Sequence, residues 1–182
     1  MGDGGIMTTN DDSLDSRLRA LRVHGAENRY YHRWIGLNSR LDGFQGATLR
    51  VKLPHLETWT ENRRSNAERY RQLFADKGLL EFVTLPVEKE GFRHIYNQFV
   101  IRVHGKRDQL KEFLSEKGIG TDVYYPIPLH LQECFSFLGY KKGDMPEAER
   151  ASEETLAIPI YPELKPEQQE FVVQTIAEFF SA

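Results

Sequence analysis

Nine lysines, six histidines and one cysteine are among the side chains of this chain suited to holding a carbonyl, shuttling a proton or binding a metal. A lysine forms an imine readily only when its amine is enclosed and made less basic than in water. Lys52 falls in a helical pattern and the other eight fall in charged stretches expected at the surface. None is therefore expected to form an imine, and the set of catalytic residues read from this chain is empty. The histidines are His24, His32, His55, His94, His104 and His130. No two stand with a partner at zinc-binding spacing, and Cys134 alone cannot complete a thiolate set, so no metal site is expected. No G-x-S-x-G nucleophile turn is present. The GDGG segment at residues 2–5 lacks the G-K-[ST] ending of a phosphate loop and leads into an apolar run, which reads as a tight turn. Glu153 and Glu154 lie on a charged helix face and read as solvated.

Residues 26–40, AENRYYHRWIGLNSR, interleave aromatics and cations with neither strand nor helix period. Such a stretch is a surface loop or a binding loop, and both readings stand on the residues alone. Composition narrows the class. Of the 182 residues, 40% are apolar and 28% charged, as in an ordinary globular protein with a sizeable core. The net charge of −3 argues against nucleic acid as a partner. One cysteine precludes an internal disulfide and fits a reducing compartment. No apolar stretch reaches the length of a membrane span, no basic-then-apolar leader is visible, and the expected location is the cytoplasm.

The elements that must position these residues follow from periodicity. Ile6–Thr9 reads as a short strand. Asn10–Ser13 offers N-cap chemistry for a helix with Leu14, Leu18 and Leu21 on one face, stopped at Gly25. From Leu41 to about Lys77 the pattern is helical, weakened at Gly43 and Gly46 and interrupted at Pro54, where a kink or a break between two helices is expected. After Gly78 comes a loop rich in Glu, Lys and Gly, then a strand over Asn97–Val103. A helix over Asp108–Lys117 follows, with Leu110, Phe113 and Leu114 inward and Gly118 closing it. Ile119–Tyr125 reads as a strand, Cys134–Leu138 as a short helix, and Pro146–Leu156 as a further helix. Ile158–Ile160 reads as extended, and the last helix starts at Pro166. This alternation is the signature of the α/β class.

Several blocks in order carry a resemblance. They are RLRALRVHG, IGLNSRLDGFQGATLRVKLPHLETWTENRRSNAERY, HIYNQFVIRV, GIGTDVYYPIPLHLQECFSFLGY and IPIYPEL. Together they closely resemble the DegT/DnrJ/EryC1/StrS family of pyridoxal-phosphate-dependent aminotransferases, most of which act on nucleotide-linked keto-sugars. The resemblance runs over nearly the whole chain and implies its C-terminal portion of a fold-type I enzyme. On that reading residues 1–55 are the end of the large cofactor domain with the start of a long connecting helix. Residues 56–182 are then the small α/β domain. In the family a G-D-G-G segment follows closely on the Schiff-base lysine. The resemblance therefore implies that this chain begins just past that lysine, holds no cofactor covalently and is inactive alone.

The resemblance also assigns roles. In family dimers the G-x-N-x-R-L-D segment reaches the neighbouring subunit's site. Asn38 is thereby implied as a cofactor-phosphate contact, and Arg40 as a contact to the anionic part of the substrate. Bracing of the following helix is the alternative for both. Tyr124, Tyr125 and His130 fall in the segment that lies near the nucleotide-sugar. Many members carry His where this chain has Tyr124, and His130 reads equally as a hydrogen-bonded histidine between strand and helix. The implied partners are the nucleotide-sugar, an amino donor such as glutamate, and a second subunit. The implied setting is nucleotide-sugar and polysaccharide biosynthesis. A non-enzymatic module kept for dimerisation or ligand binding is the other reading.

Overall fold

The computed structural model describes residues 2–181. The expectation attached to Met1, that a lysine-bearing segment directly precedes it, lies outside the described residues. The chain divides into two compact units, Met1–Leu56 and Glu57–Ala182.

Residues 2–9 belong to no regular element, so the expected short strand Ile6–Thr9 is absent. Ile6 and Met7 are exposed and no neighbouring strand pairs with them. Helix α1 spans Asp12–Leu21. Its N-cap is Asp11, whose carboxylate accepts from the backbone N–H of Ser13 at 2.8 Å and of Leu14 at 3.0 Å, satisfying two donors that a helix start leaves open. Residues 26–40 are more regular than their pattern suggests. Strands β1 (Ala26–Asn28) and β2 (Tyr31–His32) form an antiparallel hairpin, and Asn38 pairs with Val23 across an isolated bridge. The residue-type pattern misses this because both strands are short and almost wholly exposed, so neither has a buried face to mark it. Helix α2 (Gly43–Lys52) is closed at its start by a capping box between Asp42 and Gln45. A 3₁₀ turn over Leu53–His55 contains Pro54, and α3 begins at Leu56. The expected break at the proline is present. It follows from the amide hydrogen that proline lacks.

The second unit is built on a three-stranded antiparallel sheet of order β3–β4–β5: Val83–Thr84, Phe99–Val103 and Thr155–Ile158. Strand β4 alternates cleanly. Phe99, Ile101 and Val103 are fully buried on one face, and Val100 and Arg102 lie on the other. The buried face meets α3 (Leu56–Asp76), α4 (Arg107–Glu116) and α6 (Pro166–Ser181) through Tyr70, Phe74, Leu110, Leu114, Val173 and Ile176. Tyr70 is fully buried, and its hydroxyl donates to the Pro159 carbonyl at 2.8 Å. Burial pushes that phenol above its ordinary range.

Four readings are corrected here. Ile119–Tyr125 forms no strand: only Asp122 pairs, through both of its backbone groups, with Ala157. The helix expected over Pro146–Leu156 is α5, Pro146–Glu154, because Thr155–Ile158 is taken into the sheet as β5. Leu156 is fully buried in that strand, and its partner Ile101 outweighs the helical pattern. Strand β3 falls in the stretch read as loop. The Cys134–Leu138 helix is a 3₁₀ segment over Glu133–Leu138.

Candidate functional site

Asn38 and Arg40 lie on the exposed segment between the β-hairpin and α2. Backbone bonds fix this segment against the end of α1. His24 N–H donates to Leu37 O, Leu37 N–H to Leu21 O and Ser39 N–H to Arg22 O, each at 2.9 Å. Two glycines make the approach possible. Gly25 holds φ +74°, and a Cβ there would stand 1.8 Å from Trp34 O; one on Gly36 would stand 2.3 Å from Gly25 N. The Arg40 Nε–H donates to Asn38 Oδ1 at 2.9 Å. With its oxygen engaged, Asn38 presents its amide NH₂ as the donor side, while Arg40 keeps the forked face of its guanidinium. An amide donor beside a fixed guanidinium suits phosphate or carboxylate oxygens.

The other three candidates share a cleft in the second unit. Tyr124, Tyr125 and His130 border a space of about 640 Å³ together with Gln98, Val100, Leu129, Met145 and Ser152. The cleft lies on the face of β4 that carries Val100, opposite the packed core. Tyr125 is largely exposed and Tyr124 about half. A smaller recess of about 360 Å³ shares Gln98, Asp122 and Tyr124 with it.

His130 differs from the tyrosines in being buried. Its Nε2 bonds Glu149 Oε1 at 2.9 Å, and its Nδ1 is enclosed without a hydrogen-bond partner among the described residues. Glu149 is itself buried, an unusual place for a carboxylate. It accepts from the Gly143 N–H at 2.8 and 2.9 Å and from the Met145 N–H at 3.3 Å. Burial pushes its pKa up. The hydrogen bonds from Gly143, His130 and Met145 outweigh that and leave it below the ordinary carboxylate value, so the group is ionised at neutral pH.

Residue types alone do not single out Glu149, since PEAERASEE reads as a uniformly charged helix start. The available signal is its place in the first turn after Pro146, where a carboxylate can reach back to preceding N–H groups. On the same helix Glu153 is exposed as expected. Glu154 is not simply solvated: it is partly buried and pairs with Arg102 at 2.8 Å.

The lysines bear on cofactor chemistry. Eight of the nine are exposed and Lys111 is half-buried. None encloses an amine in the way an imine former requires, so these residues do not fit covalent attachment of an aldehyde cofactor. Asn38 and Arg40 do fit its anionic groups. Among the described residues no cluster of three or more His, Cys, Asp or Glu could hold a metal. No described helix is long and apolar enough to cross a membrane.

Fold and sequence together define the class. Residues 1–177 match the DegT/DnrJ/EryC1/StrS aminotransferase family, and the chain belongs to that family. It is 52% identical over 98% of its length to the "Pleiotropic regulatory protein" of Geobacillus stearothermophilus, covering 48% of that protein. It is 35% identical over 98% of its length to the dTDP-3-amino-3,4,6-trideoxy-alpha-D-glucose transaminase of Streptomyces venezuelae, covering 46%. Among solved structures it is similar to S. venezuelae DesV, with TM-score 0.88 and 34% identity over 96% of this chain and 46% of that one. It is likewise similar to a DegT/DnrJ/EryC1/StrS aminotransferase from Brucella abortus, with TM-score 0.83 and 34% identity over 96% of this chain and 45% of that one. The family is pyridoxal-phosphate-dependent, and a neighbour of the same fold, NtdA from Bacillus subtilis, carries bound PMP (TM-score 0.83, 24% identity, 96% of this chain and 41% of that one). The chain spans about half the length of the relatives it matches.

Proposed function

We propose that this chain is the C-terminal portion of a pyridoxal-phosphate-dependent aminotransferase acting on nucleotide-linked keto-sugars. On this reading residues 1–55 complete the large cofactor domain and residues 56–182 form the small domain. The observation that carries it is the continuous family match over residues 1–177, combined with relatives named as sugar-nucleotide transaminases. The bound coenzyme supplies an electron sink. This chain contributes recognition and order around it. Asn38 donates its amide N–H to the coenzyme phosphate of a second subunit. Arg40, oriented by its bond to Asn38 Oδ1, faces the anionic end of the substrate. Tyr124 and Tyr125 border the cleft for the nucleotide-sugar. No lysine of this chain forms the imine, in keeping with their exposure, and the chain alone is inactive.

The test is reconstitution. The chain is co-expressed with the part of the Geobacillus relative that it does not match, and amination of a thymidine- or uridine-diphosphate keto-sugar is followed. Activity in the pair and none in either part supports the reading. Borohydride reduction of the isolated chain with pyridoxal phosphate, read by mass spectrometry, gives no stoichiometric adduct on this reading. One such adduct at a single lysine overturns it.

A further inference from the structure

Glu149 ties two segments of the chain together through one oxygen. Oε1 accepts from His130 Nε2, from Gly143 N–H and from Met145 N–H. His130 lies in the 3₁₀ turn Leu129–Leu131, and Gly143 and Met145 lie in the loop leading into α5. Leu129 and His130 border one part of the 640 Å³ cleft, and Met145 with Ala148 borders another. No regular element covers the 139–145 loop, and Gly143 there holds φ +97°, so its shape depends on what it bonds.

We propose that Glu149 is the positioning residue of the nucleotide-sugar cleft, its Oε1 setting the distance between the Leu129–His130 wall and the Met145–Ala148 wall. The proposal rests on the functional reading for the cleft's occupant and on geometry alone for the wall. It assigns His130 the same duty: its ring is buried and directed to Glu149, so it braces the wall. The oxygen's location does this work. Glutamine, with its amide oxygen at the Oε1 position, keeps one bond from each donor but sets its NH₂ against the Gly143 N–H where Oε2 accepted, so it holds the loop less firmly than glutamate does. Alanine loses all of them and leaves the His130 ring and two N–H groups without partners.

The test has two readings. In the 182-residue chain, amide hydrogen exchange is followed by NMR for wild type, Glu149→Ala and Glu149→Gln. Glu149→Ala is expected to speed exchange at Gly143 and Met145 by about tenfold or more, with the β4 amides unchanged. Glu149→Gln is expected to fall between wild type and Glu149→Ala. Should Glu149→Ala fail to fold, His130→Phe, which keeps bulk, loosens Leu131 and Gln132 while Gly143 stays protected. In the reconstituted enzyme Glu149→Ala is expected to raise KM for the nucleotide-sugar about tenfold with kcat little changed, and Glu149→Gln to raise it by less. Unaltered protection at Gly143 and Met145 in Glu149→Ala, or glutamine as loose as alanine, overturns the proposal. A KM unmoved while those amides loosen overturns its link to the substrate. An inactive wild-type reconstitution overturns the functional reading instead, and the exchange data still decide the role of Glu149.

Discussion

Gly36 and Gly25 touch through their backbones: a Cβ built on Gly36 falls 2.3 Å from the Gly25 nitrogen and 2.5 Å from Leu21 O. The obstructing atoms are main chain, so no rotamer can relieve the clash. The segment bearing Asn38 and Arg40 is held by this contact together with the bridge between Val23 and Asn38. Gly36→Ala is expected to destabilise the first unit by about 1–3 kcal/mol, the usual cost of overpacking. It should also displace Asn38 from Arg40. Amide exchange of Leu37 and Ser39, and the Arg40 Nε–H resonance, measure this. Protection equal to wild type contradicts it.

Asn38→Ala and Arg40→Ala should differ in kind. Arg40 donates to Asn38 and reaches beyond it, so Asn38→Ala removes both a presented amide and the brace on the guanidinium. In the reconstituted enzyme Asn38→Ala is expected to weaken pyridoxal phosphate retention, read by visible absorbance against coenzyme concentration. Arg40→Ala is expected to raise KM for the anionic substrate while coenzyme retention holds. Equal effects of the two on both readouts contradict the assignment.

Acid should loosen one loop before the core. Glu88 accepts from Arg64 Nη1 at 2.8 Å, from the His94 N–H and from the Tyr96 hydroxyl. Those bonds, with Arg64 the largest influence, lower its pKa from 4.5 to about 2. A carboxylate whose pKa is lower in the folded chain stabilises fully above the unfolded value. That contribution fades as pH falls through the folded one. The 85–97 loop should therefore stay docked at neutral pH and loosen between pH 4.5 and about 2. Limited proteolysis by an acid protease reads this, and Glu88→Gln should weaken the pH dependence in that window, leaving the part carried by Glu57, whose bond from Arg93 of the same loop also lowers its pKa.

The core of the second unit should respond by volume and by hydrogen bonding separately. Leu110→Ala empties a fully buried position and is expected to cost about 2–5 kcal/mol in urea denaturation. Tyr70→Phe removes only the hydroxyl bonded to Pro159 O and is expected to cost about 1 kcal/mol. A Tyr70→Phe chain as unstable as Leu110→Ala contradicts this ranking.

What the residues reveal beforehand depends on whether one face is buried. Helix α4 is readable because Leu110 and Leu114 are fully enclosed at helical spacing, and β4 because its alternate residues are. The hairpin at residues 26–32 is not, because its strands turn almost nothing inward. Leu156 misleads because helical and extended readings both bury it, and only pairing with Ile101 decides. At the candidate site, Tyr124, Tyr125 and His130 are suggested by a family pattern and lie round one cleft. Glu149 escapes notice because its partners are two backbone N–H groups and a distant histidine, none of which leaves a mark in local composition.

Helix α2 buries none of its residues: Phe44, Leu49 and Val51 stand open to solvent, as do Ile35 and Leu37 in the segment before it. For a newly made chain this sets a race. Such greasy stretches are what folding assistants and degradative machines grip, so the polypeptide's cellular lifetime should track how soon another body shields them. Its abundance would then report the supply of that body more than its own sequence.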